Sequence, residues 1–105
     1  MEKIKEDLLK ISNIIVESFN VKKIILFGSY AKGTEKSDSD IDICILTDEN
    51  IRKIEILRKI RRALYDYVSI PLDLLIYKTD EFYERAEKLK SIEREIKKEG
   101  VAIYG

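Results

Sequence analysis

The chain has no histidine, no tryptophan and no glutamine, and it has a single cysteine, Cys44, and a single proline, Pro71. Without an imidazole there can be no Ser-His-Asp or Cys-His device, no His-ligated zinc and no imidazole proton shuttle within this chain. One thiol can close no internal disulfide and build no multi-cysteine metal site, which fits a reducing compartment. Any bound metal must therefore rest on oxygen. An excess of either charge is also missing: 20 Lys plus Arg meet 20 Asp plus Glu, a formal net charge of zero. No global field draws the chain to a polyanion or an acidic bilayer, so direct nucleic-acid binding is not expected and would need a local basic patch. No apolar run approaches the length of a membrane span, and Met1 to Asp7 are mostly charged where a secretory leader would be apolar. The expectation is a cytoplasmic protein with no membrane association.

What is present suffices for one core. Over 105 residues, 45% are hydrophobic and 38% charged, which predicts a single domain, 1–105, with a densely ionic surface. Ile4, Leu8, Ile11, Ile15 and Phe19 recur every three or four positions, predicting an amphipathic helix over about 3–19. A short apolar strand follows over 22–27 and stops at Gly28. Residues 28–39, Gly28-Ser29-Tyr30-Ala31-Lys32-Gly33 and onward, have no sustained apolar period and read as a loop or one irregular helical turn. Ile41 to Leu46 is rich in branched aliphatics and too short for a helix, so it reads as a second strand.

Ile51, Ile54, Leu57, Ile60 and Leu64 mark the buried stripe of a second helix. Pro71 closes the connection to a third strand, Leu72 to Tyr77. Thr79-Asp80 then offers an N-cap for a last helix, with Phe82, Ala86, Leu89 and Ile96 as its core residues, running to about Glu99 and ending at Gly100. Val101 to Tyr104 reads as a short edge strand or a frayed tail. The fold class is α/β (α+β), a small mixed β-sheet packed by helices.

The chemistry gathers on the two sides of one loop. Residues i and i+2 of a strand project from one face, so Asp40 and Asp42 point together where the second strand begins. Neighbouring carboxylates repel unless a cation lies between them, and Mg²⁺ favours one or two carboxylates plus phosphate oxygens and water. Asp73 is a third carboxylate inside an aliphatic strand, where an isolated charge is costly. On the other side of the loop, Gly28 and Gly33 permit backbone angles that bring amides close to an anion, Ser29 adds a hydroxyl, and Lys32 and Lys36 add charge. Phosphate donors facing metal ligands suit phosphoryl or nucleotidyl transfer, and with no histidine present Asp73 is the candidate general base.

Gly28-Ser29-Tyr30-Ala31-Lys32-Gly33, followed by Ser39-Asp40-Ile41-Asp42-Ile43, resembles the signature of the minimal nucleotidyltransferases of the DNA polymerase beta superfamily. The resemblance extends over nearly the whole chain and implies the nucleotidyltransferase fold. It implies that Gly28 and Ser29 hold a nucleoside triphosphate, assisted by Lys32 where Arg is more usual, and that Asp40, Asp42 and Asp73 are catalytic and bind Mg²⁺, two ions, with ATP as substrate. Members of this size resemble the antitoxin halves of toxin-antitoxin pairs, so it further implies transfer of AMP to a tyrosine of a HEPN-domain ribonuclease toxin. The alternatives are a fold that neutralises such a toxin by binding alone, or transfer to a small molecule.

Plainer roles stand beside these. Asp73 at a strand end can pair with a Lys or Arg. Cys44, among aliphatic neighbours, reads as a buried and inert thiol. Arg58-Lys59-Ile60-Arg61-Arg62 reads as the wet face of a helix, and Asp38 as a solvated loop residue. A calcium loop starting at Asp38 fails because Ile43 occupies the position that requires glycine. Tyr30 can pack on the loop or touch a base.

Overall fold

The computed structural model describes residues 2–67 and 70–105. Its elements run α1 (Glu2–Ser18), β1 (Lys23–Phe27), α2 (Ser29–Lys32), β2 (Ile41–Thr47), α3 (Lys53–Leu64), β3 (Leu72–Lys78), α4 (Thr79–Ala86), α5 (Ile92–Glu99) and β4 (Val101–Tyr104). The strands form one mixed sheet in the order β3-β2-β1-β4. β1 is antiparallel to β2 and β4, whereas β2 and β3 are parallel, with α3 supplying the crossover that parallel neighbours require. Among the described residues, no helix is long and apolar enough to cross a membrane.

Both faces of the sheet are covered, which explains why β2 is apolar on both faces from Ile43 to Leu46. On one face Ile24, Leu26, Ile41, Ile43 and Ile45 pack against Ile11 and Ile15 of α1 and Ile56, Ile60 and Leu64 of α3. On the other, Ile25, Cys44, Leu46 and Tyr77 pack against Phe82 of α4 and Ile96 of α5. Val101 to Tyr104 pair with β1, so the terminal segment is an edge strand.

Three local expectations are corrected. The helix expected over 79–99 is two helices: Lys90 adopts φ 67°, and Ser91 caps a new start by accepting a hydrogen bond from the Arg94 amide at 3.1 Å. Leu89 falls in that turn and is 79% exposed, outside the core. Thr79 is the first helical residue rather than a cap, and its buried hydroxyl has no hydrogen-bond partner. The cap position is Lys78, whose amide donates to Glu81 Oε1 at 3.3 Å. Because α3 starts at Lys53, its buried stripe is Ile56, Ile60 and Leu64, and Ile54 is exposed.

Candidate active site

β1 ends where β2 and β3 begin, and the register brings Phe27, Asp42 and Asp73 into one row across three strands. Asp42 alternates with Ile41 and Ile43 and shares its face with Cys44 and Leu46. Asp73 likewise shares its face with Leu75 and Tyr77. Both carboxylates therefore emerge on the side of the sheet covered by α4 and α5, beyond the last apolar residues of that core. Asp40 lies two residues before Asp42, exposed, just ahead of β2. The neighbouring Ile41 amide donates to the Pro71 carbonyl at 2.9 Å, tying the entry of β2 to that of β3.

The electrostatics of this corner are one-sided. Burial first, then the charges of Asp73 and Asp40 and a hydrogen bond shared with Asp73, push the Asp42 carboxyl above the ordinary aspartate range. Among the described residues none of the three carboxylates forms an ion pair. Hard oxygen donors without a counter-charge, one partly buried and two exposed, have the chemistry that suits Mg²⁺. No three acidic groups among the described residues stand ready-made around one point. The arrangement is a facing pair, Asp42 and Asp73, with Asp40 beside it, compatible with an ion that takes its remaining ligands from phosphate and water.

Gly28 adjoins the row. Its φ of 76° and ψ of −154° lie where side chains are rarely tolerated. A Cβ there would also collide with the Asp42 carboxylate, coming within 2.9 Å of its Cγ. Gly28 precedes α2 without offering a side-chain cap, so the first amides of that turn lack a side-chain acceptor. The Lys32 amide closes the turn on the Gly28 carbonyl at 3.2 Å, and Gly33, with φ 73°, ends it. The expected loop or single helical turn is a turn four residues long. Ser29 is half-buried beside Gly28, and Tyr30 packs against the larger core.

Lys32 is turned toward α5. Its ammonium is 3.3 Å from Glu95 Oε1 and 3.3 Å from Glu99 Oε2, contacts that raise its pKa above the ordinary lysine value. Sequence reading did not single out this pair, although carboxylates at i and i+4 share a helix face. Also unforeseen is the buried hydrogen bond from the Tyr77 hydroxyl to Glu93 Oε2 at 2.6 Å, under the sheet face that carries the acidic row. Cys44 is fully buried, and burial followed by the charge of Glu93 pushes its thiol up to about 12, as expected of an inert residue.

In the four-stranded mixed sheet one strand stops just before Gly28-Ser29 and the next starts within Asp40-Ile41-Asp42, the pattern that carries the resemblance to the nucleotidyltransferases. Comparison with known proteins agrees: residues 9–105 match the model of the polymerase beta nucleotidyltransferase family, and the chain belongs to that family. A Methanocaldococcus jannaschii protein, provisionally named a protein adenylyltransferase, is 39% identical over 77 residues, 66% of this chain and 77% of its own. Among solved structures, a chain of a toxin-antitoxin complex with AMP-PNP shares the fold at a TM-score of 0.63 and 24% identity, covering 93% of this chain and 73% of that one. A chain of the complex of a tri-AMPylated Shewanella oneidensis HEPN toxin with an MNT antitoxin aligns at a TM-score of 0.56 and 21% identity, over 96% of this chain and 71% of that one.

Proposed function

We propose that the chain is a Mg²⁺-dependent protein adenylyltransferase that moves AMP from ATP onto a hydroxyl of a partner protein, a HEPN-domain toxin, and so acts as an antitoxin. The observation that carries this reading is the Asp42 and Asp73 pair set against Gly28, a carboxylate pair beside a backbone turn that only a glycine fits. The M. jannaschii relative and the AMPylated toxin complex support the choice of protein as acceptor.

In this reading the Gly28-Ser29 turn binds the triphosphate through backbone amides and the Ser29 hydroxyl, with Lys32 as an added cation. Asp40, Asp42 and Asp73 would hold the magnesium, two ions in a displacement of this class, whose charge screens the phosphate oxygens and the leaving group. The partner's hydroxyl oxygen forms a bond to the α-phosphorus while the bond from that phosphorus to the bridging oxygen breaks, and pyrophosphate leaves with the electron pair. Asp73, exposed on edge strand β3, accepts the hydroxyl proton. The protein's contribution is positioning and fixed charge, as is general for transfer at phosphorus.

Co-expression with the HEPN toxin tests the reading. Growth rescued by the unsubstituted chain, and lost with Asp40→Asn plus Asp42→Asn although the two proteins still co-purify, supports catalysis. Rescue retained by the double variant would instead make the chain an antitoxin that acts by binding.

A further inference from the structure

A cavity of about 140 Å³ lies between α2 and α5, lined by Gly28, Lys32, Ile92, Glu95, Ile96 and Glu99 among others. Glycine and lysine thus share one hollow, and the lysine is held by two carboxylates that line the same hollow, each at 3.3 Å. The three side chains are exposed by 45%, 59% and 49%, so each ion pair is wet and weak, and an anion of higher charge can compete for the ammonium. A triphosphate seated on Gly28 and Ser29 presents several negative oxygens one helical turn from Lys32.

We propose that Glu95 and Glu99 are positioning residues that latch Lys32 onto α5, so that triphosphate binding exchanges the lysine from the two carboxylates to phosphate. The inference rests on the nucleotide reading above and adds to it the residues that set affinity. The latch has a thermodynamic consequence: whatever fraction of molecules holds Lys32 on α5 is withdrawn from the tight-binding state, and apparent affinity falls by that fraction. It also has a structural one, since opening it frees the outer face of α5 while leaving Ile96 in the core.

Titration of AMP-PNP with Mg²⁺, followed by calorimetry, tests the latch. Glu95→Gln plus Glu99→Gln should tighten binding about two- to fivefold, the scale of two exposed pairs. The tightening should vanish when Lys32→Gln is added, because the carboxylates act through that lysine. Tightening that persists without Lys32 would overturn the latch and leave plain repulsion between carboxylate and phosphate. Unchanged affinity in the double Gln variant would overturn it as well. The Lys32 ammonium resonance of the unsubstituted protein gives a check that needs no variant: it should shift on addition of AMP-PNP, and a signal that stays put while nucleotide binds would count against the exchange. Failure of the unsubstituted protein to bind AMP-PNP at all would overturn the nucleotide reading together with the latch.

Discussion

Asp42 and Asp73 stand opposite each other on the neighbouring parallel strands β2 and β3, with their side chains on the same face of the sheet. Like charges placed across adjacent strands repel, and partial burial of Asp42 strengthens the effect. A fold that retains such a pair keeps a local instability there, which the magnesium proposed above would relieve.

Replacing Asp42 by Asn should therefore stabilise the protein in the absence of divalent ions, by up to about 1 kcal/mol at neutral pH, while abolishing AMP transfer. Urea unfolding with chelator present checks the first part. A variant less stable than the original would mean that the pair is not in net repulsion.

Gly28→Ala meets two obstacles, a positive φ and a collision with the Asp42 carboxylate. A left-handed residue with a Cβ costs on the order of 1–2 kcal/mol before any clash. The expected result is a loss of stability of about 2 kcal/mol or more, together with loss of nucleotide binding, whereas Gly33→Ala, with open space around it, should cost only the backbone part. Thermal unfolding of the two variants side by side checks the difference.

Much of this was legible in sequence because the signals were short and redundant. Gly28-Ser29 follows an aliphatic run, Asp40 and Asp42 open the next, and Asp73 is an isolated charge in a third. The strand order and the facing of Asp42 and Asp73 depend on parallel pairing across α3, which no local pattern encodes. The spacing over 79–99 suggests one helix because a second start signal lies inside an apparently continuous period: Ser91, one residue after Lys90 in its left-handed conformation, outweighs the spacing of Leu89. The contact of Lys32 with Glu95 and Glu99 joins residues 63 positions apart in the first case and arises only from packing.

Alkaline pH should loosen the fold through buried acids that stay protonated. Cys44 has an ordinary value of 9.0 and is pushed up to about 12 in the fold, so its contribution is intact below pH 9 and is lost as the pH rises toward 12. Tyr77, raised first by burial and then by its hydrogen bond to Glu93, acts with the same sign from pH 10 upward. Urea midpoints measured from pH 7 to 11 should fall above pH 9, and Cys44→Ala should flatten the first part of that fall. Below pH 9 the thiol should resist iodoacetamide in the folded protein.

The Tyr77 to Glu93 hydrogen bond, 2.6 Å and buried, holds a carboxylate beneath the acidic face. Tyr77→Phe leaves that carboxylate without its donor and should cost about 1.5–3 kcal/mol, the scale of a hydrogen bond to a charged group. Tyr77→Phe combined with Glu93→Gln should recover part of it. Denaturant unfolding of the single and double variants gives the comparison; equal losses would mean that the charge on Glu93 is not what the hydroxyl supports.

The central claim, transfer of AMP to a protein hydroxyl at the Gly28, Asp42 and Asp73 corner, is tested most directly by the fate of two labels. The protein is incubated with Mg²⁺, the HEPN toxin and ATP labelled at either the α- or the γ-phosphorus, and the toxin is recovered and counted. The expected outcome is α-label on the toxin, γ-label only in released pyrophosphate, and neither on the toxin when Asp42 is replaced by Asn. γ-Label on the toxin, or α-label that survives Asp42→Asn, would contradict it.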